Sequence, residues 1–170
     1  MAQSKPKDAI ALLTADHREV EELFARYEKA RPGTKQKLAG QICDELKIHS
    51  MIEEEIFYPA LEGKVEDDKL KEAYVEHDGA KVLINDILSE ARDDDDYYDA
   101  KVKVLQEQIE HHVKEEEKDK DSIFADAKKS DVDLVALGEQ MLERKKELKK
   151  KAEAGGLPPA STKAVTPMPL

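Results

Sequence analysis

Four of the five histidines, His17, His49, His77 and His112, fall on apolar stripes with the 3-and-4 spacing of a buried helix face. The stripes read Ile10, Leu13, His17, Val20, Phe24; Ile42, Leu46, His49, Glu53, Ile56; Leu70, Ala73, His77, Ala80, Ile84; and Leu105, Ile109, His112, Glu116. In two of them an inward histidine is followed one turn later by an inward glutamate, His49 by Glu53 and His112 by Glu116. Helical residues four apart bring their Cβ atoms to about 5–6 Å, close enough to act on a common ion. A buried ionised carboxylate is costly unless a cation or hydrogen-bond donors compensate it. Four imidazoles and two carboxylates exceed the four ligands usual at a structural zinc. They suit two ions, each taking two histidines and sharing both carboxylates. Mixed imidazole and carboxylate donors favour iron or manganese over calcium or a soft metal. With an oxide or hydroxide bridge each ion would be five-coordinate, which leaves a position for a small ligand.

The fifth histidine, His111, is adjacent to His112 in "IEHHVKEEEKDK". Neighbours on a helix point about 100° apart, so only one of the two can face the interior. His112 continues the stripe of Leu105 and Ile109, and His111 falls on the flank.

The elements that must position these groups are helices. Leu, Lys and Glu are abundant and Gly scarce, as helices prefer. Ser4 and Pro6 read as cap and first-turn residue of a helix that runs to Arg31, where "PGT" breaks the periodicity. Thr34 reads as the cap of a second helix that extends to about Glu62, with Gly63 as its stop. A third spans roughly 67–92. "DDDD" at 93–96 is a solvated link, and a fourth helix runs from about Tyr97 into the 120s. A further helix over 131–154 carries a weaker stripe of Leu134, Leu137, Met141 and Leu148. The remainder, "GGLPPASTKAVTPMPL", is small, Pro-rich and aperiodic, which predicts a disordered tail. Four long helices with short links predict an all-α, up-down-up-down four-helix bundle with an additional C-terminal helix and a flexible tail. The four stripe histidines divide evenly: each half supplies a lone His and then a His-x-x-x-Glu, so two equivalent hairpins would meet about an approximate dyad.

Composition narrows the partners. The net charge of −11 argues against nucleic acid or an anionic membrane surface. The single cysteine, Cys43, excludes an internal disulfide framework and fits a reducing compartment. No apolar stretch is long enough to span a bilayer, so the expected location is cytoplasmic. No Gly-rich phosphate loop or nucleophile-bearing motif is present.

Taken together, "DHREVEELF", "HSMIEEEIFYPAL", "EHDGAKVL" and "HHVKEEE" resemble the four helix signatures of the hemerythrin-like (HHE cation-binding) domain. The resemblance covers roughly residues 8–129, within a domain drawn at 5–129, followed by an accessory helix at 130–154 and a tail at 155–170. It implies a non-haem pair of iron ions bridged by oxide or hydroxide (Fe–O–Fe or Fe–OH–Fe), with iron ahead of manganese. By position it implies His17 and His49 on one iron, His77 and His112 on the other, and Glu53 and Glu116 as bridges. Animal hemerythrins carry a further histidine one turn before the third-helix His, and here that position is Ala73. Glu21 and Tyr74 are candidates to complete the site. The segment "KDKDSIFADAKK" also lacks the family's Phe-Pro.

Three functions follow from such a centre. The first is binding of O2, NO or peroxide for oxygen or redox-stress handling or sensing. The second is an oxidoreductase that decomposes peroxide or reduces NO, with a Tyr or Glu assisting proton transfer. The third is an iron-responsive regulatory module.

Overall fold

The structure is a computed structural model that describes residues 4–89 and 96–166. Among the described residues all regular structure is helical: α1 (Ala9–Lys29), α2 (Pro32–Ile52), α3 (Tyr58–Leu61), α4 (Asp67–Ser89), α5 (Tyr98–Val113), α6 (Ile123–Lys129) and α7 (Leu134–Gly155). Two single-turn π-helical segments interrupt the long helices, at Glu53–Phe57 between α2 and α3 and at Lys114–Lys118 after α5. The fold is the helical bundle expected from the sequence, with α1 packed on α2, α4 on α5, and α2 on α4.

Local chemistry sets boundaries that differ slightly from the sequence reading. Asp8, not Ser4, caps α1; its carboxylate accepts the Ala11 N–H at 2.8 Å. Pro32 itself opens α2, since a first-turn proline forfeits an N–H that would go unpaired anyway, so Thr34 lies inside the helix rather than capping it. Gly63 takes φ of 74° after α3, as a helix stop requires. The fourth bundle helix ends at Asp119, whose extended backbone turns the chain toward α6. Ser122 caps α6 and Asp133 caps α7. Of the acidic link at 93–96, residues 93–95 lie outside the described residues.

Two apolar clusters fill the bundle. One gathers Leu12, Leu13, Ile48, Ile52, Phe57, Tyr58, Phe124, Met141 and Leu148. The other gathers Val20, Phe24, Leu38, Ile42, Leu46, Ile84, Val102 and Leu105. The four stripe histidines belong to neither cluster; with their glutamates they form a buried polar layer in the bundle. Helix α7 covers α1 and α2, seating Leu137, Met141 and Leu148.

The tail departs from expectation. Residues 157–165 are fastened to the bundle: Lys47 and Lys81 donate to the carbonyls of Leu157 and Ser161, and Asn85 exchanges two hydrogen bonds with Ala160. The backbone N–H groups of Lys163, Ala164 and Val165 all donate to the buried Asp78 carboxylate at 2.6–3.1 Å. Hydrogen bonding from successive backbone donors to a single side chain has no periodic signature, so composition alone reads this stretch as unstructured. Residues 167–170 lie outside the described residues.

Candidate metal centre

All six predicted donors are buried and converge. His17 and His49 bring their Nε2 atoms to 3.2 Å, and His77 and His112 do the same at 3.2 Å. Glu53 and Glu116 are fully buried between the pairs. Glu53 Oε1 lies 2.9 Å from His49 Nε2 and 3.4 Å from His77 Nε2. Glu116 Oε2 lies 3.3 Å from His17 Nε2 and 3.6 Å from His112 Nε2. Each carboxylate therefore reaches one histidine from each hairpin. The donors form two groups, His17, His49 and Glu116, and Glu53, His77 and His112, each compact enough to hold one metal ion.

Outside this layer every ring is held from behind. His17 Nδ1 faces Glu117 at 2.9 Å, His49 Nδ1 faces Asp16 at 3.1 Å, His77 Nδ1 faces Glu54 at 3.3 Å, and His112 Nδ1 faces Glu76 at 3.0 Å. An ionised carboxylate only accepts, so Nδ1 carries the proton and a neutral ring turns its Nε2 lone pair inward. Such carboxylate–histidine pairs fix tautomer and ring plane at metal sites. The pattern repeats across the dyad. The residue before each lone histidine, Asp16 or Glu76, holds the paired histidine of its own half. The residue after each inward glutamate, Glu54 or Glu117, holds the lone histidine of the other half.

Opposed lone pairs and buried anions repel unless a cation lies between them. Both oxygens of Glu53 and Oε2 of Glu116 lack a hydrogen-bond partner despite complete burial, an arrangement that natural cores avoid. A pair of metal ions would satisfy all of these donors at once, so the residues fit the group. In the metal-free chain the field is strongly cationic-seeking. Burial pushes His49 down, but Glu53 and Asp16 more than reverse this and hold it well above the usual imidazole range. Burial likewise opposes His77, yet Glu53 and Glu54 lift it to about 9. Burial raises Glu53, but the charge of His49 outweighs this and holds it well below the usual carboxylate range; burial and the charge of Glu53 then push Glu116 up.

Tyr58 is the group the sequence reading missed. Its fully buried hydroxyl donates to Glu116 Oε1 at 2.9 Å and lies 3.4 Å from Nε2 of both His77 and His112. Burial and the two glutamates hold the phenol well above its ordinary range, so it remains a donor. The π turn explains the omission. Uninterrupted α periodicity from Glu53 leads to Ile56, which is only partly buried; the wider turn brings Phe57 and Tyr58 inward instead. Ala73, where animal hemerythrins carry a further histidine, is buried in the same apolar cluster as Tyr58.

The two extra candidates stand elsewhere. Glu21 pairs with Arg18 at 3.1 Å on the surface and belongs to neither donor group. Tyr74 packs edge-on against the Tyr58 ring, 5.4 Å between centroids, and meets the centre only through it. Among the remaining acids, Glu55 pairs with Arg144. His111 is exposed between Glu115 and Glu76, as its place on the flank predicts.

A cavity of about 30 Å³ adjoins the centre. All four stripe histidines contribute to its wall, and Val20, Leu46, Ala80, Ile84, Ile109 and Val113 make the rest largely apolar. That volume holds about one small molecule.

The fold and the paired donor groups define a metal-binding helical-bundle protein. Residues 8–119 match the Hemerythrin HHE cation binding domain family, and the chain belongs to that family. A crystal structure of a Hemerythrin HHE cation binding domain-containing protein from Mycobacterium kansasii shares the fold, with a TM-score of 0.72 at 23% identity. The alignment covers 88% of this chain and 94% of that one. No curated protein sequence matches the chain. No helix among the described residues is long and apolar enough to cross a membrane.

Proposed function

We propose that the chain is a non-haem di-iron protein that binds a small ligand, O2, NO or peroxide, in oxygen or redox-stress handling. The observation that carries this reading is the set of orphaned buried carboxylate oxygens between two opposed imidazole pairs, directly beside an apolar cavity of one-molecule size. His17 and His49 would hold one ion, His77 and His112 the other, and Glu53 and Glu116 would bridge them. The iron pair, when bound, supplies reversible coordination of small diatomics and one-electron chemistry. The protein's own part is geometric. The outer carboxylates lock the ring planes, and the apolar wall favours small uncharged molecules over water and anions.

Oxidoreductase chemistry is the second reading, and Tyr58 favours it. A protonated phenol beside His77 and His112 gives one half of the centre a proton at Oη, held by Glu116, that the other half lacks.

The assignment predicts about two irons per chain after aerobic purification, with near-ultraviolet absorption. His112→Ala and Glu53→Ala should each remove at least half of the metal, whereas His111→Ala leaves it unchanged. Metal analysis checks both, and a single zinc per chain would refute the reading. Stopped-flow mixing of the reduced protein with O2, peroxide and NO then separates the two functions: a stable adduct supports binding, and continued consumption supports the enzyme.

A further inference from the structure

Three of the four carboxylates that hold the histidine rings are themselves backed by a permanent cation. Arg18 lies on Glu117, Lys81 on Glu54 at 2.8 Å, and Lys145 on Asp16. The first two cations lie within residues 8–119. Lys145 does not: it projects from α7, beyond the matched domain.

Each oxygen of Asp16 has one task. Oδ2 accepts from His49 Nδ1 at 3.1 Å, and Oδ1 accepts from the Lys145 ammonium. Asp16 is 5% exposed, so water contributes little to stabilising its charge. A buried carboxylate deprived of its cation is strongly disfavoured and seeks another partner or solvent. Asp16 would then release the N–H that fixes the His49 ring. The neighbouring residue on α7 provides a contrast. Arg144 also ties α7 to the bundle, through Glu55, but Glu55 is partly exposed and touches no histidine of the centre.

We infer that Lys145 is a positioning residue of the metal centre: α7 does not merely cover the bundle but sets the orientation of His49 through Asp16. This inference rests on reading the paired donor groups as a metal centre. It makes the accessory helix part of the site, so that chains with the same bundle but no such helix would hold His49 differently.

The test compares Lys145→Met with Arg144→Met in the full chain. Methionine keeps most of the lysine stem, and the buried Leu137, Met141 and Leu148 keep α7 docked in both variants. Iron loss to a ferrous chelator is followed after reduction, together with the absorption spectrum of the oxidised protein and the melting temperature. Loss of an outer partner of a metal-bound histidine typically weakens metal binding 10–100-fold. Lys145→Met is therefore expected to release iron at least about 10-fold faster and to alter the spectrum. Arg144→Met should retain iron as the wild type does, even if its melting temperature falls, and Lys145→Arg should restore retention. Equal retention in Lys145→Met and wild type, or equal acceleration in both methionine variants, would overturn the inference while leaving the metal centre intact. A wild-type chain that takes up no metal would overturn the centre itself and this inference with it.

Discussion

At the residue scale the two halves of the centre differ in the group that follows the inward glutamate. Tyr58 stands five residues after Glu53, while Asp121, five residues after Glu116, lies outside the site with its carbonyl on Lys69. Tyr58 is thus a part of the site that internal symmetry does not generate. Tyr58→Phe keeps the ring packed and leaves Glu116 Oε1 buried without its donor. An unsatisfied buried acceptor costs roughly 1–3 kcal/mol. The metal-free variant should lose about that much stability in denaturant titration, while iron content stays at the wild-type level. A variant that lost iron instead would show that the phenol supports the metal directly. The six histidine and glutamate donors were legible in the sequence because each continues an apolar stripe that no solvated residue would occupy. Asp16 and Glu76 were not singled out, although both precede a lone histidine, because an acid beside a buried position ordinarily reads as the solvated flank. Tyr58 was concealed by a change of helical period.

At the scale of elements the π turns place the chemistry. One begins four residues after His49 and the other two residues after His112, and each carries three consecutive acids, two of which serve the centre, Glu53 with Glu54 and Glu116 with Glu117. One acid of each pair faces the centre and the next holds a ring, which a regular α-helix would splay by about 100°. The sequence reading found the helices and their order, since long amphipathic stripes are robust, but gave no sign of these turns. Helix α7 shows in the sequence only as a weaker apolar stripe, and its close approach to α1 rests on Gly138. A Cβ there would lie 2.6 Å from Ala9 N and from Asp8 C, both backbone atoms at the start of α1. Gly138→Ala must therefore push α7 away, with an overpacking cost of about 1–3 kcal/mol. Gly40, inside α2, has no heavy atom within 4 Å of such a Cβ. Gly40→Ala should stabilise instead, by up to about 1 kcal/mol, because alanine is the better helix former. Opposite shifts in the two denaturation midpoints would bear out the packing of α7; a neutral Gly138→Ala would mean that the helix is more loosely docked.

At the scale of the whole molecule the C-terminal segment ties together elements that the bundle connects only through its core. Residues 157–165 run over α2 and α4, and their principal anchor is Asp78, which is fully buried beside His77 and accepts the N–H groups of three successive residues. Lys81 lies at the same junction, donating at once to Ser161 and to Glu54, and it also lines the cavity. The segment is thereby coupled to the wall of the centre, and the Lys163 ammonium also reaches the Glu54 carbonyl at 3.5 Å. Asp78→Ala removes the common acceptor and leaves the three backbone donors nothing equivalent to bind. Hydrogen bonds to a charged group contribute about 1.5–3 kcal/mol each, and 1.4 kcal/mol corresponds to a factor of ten in an opening equilibrium. Trypsin provides the readout, because Lys163 sits inside the clamped stretch with its N–H on Asp78. Cleavage after Lys163 in the native protein should accelerate at least about ten-fold in Asp78→Ala, since proteolysis follows the population of the open form. Cuts within the bundle should change far less. If cleavage after Lys163 is already fast in the wild type and Asp78→Ala leaves it unaltered, the segment is not held in solution, and the coupling from Asp78 through Lys81 to the centre fails with it.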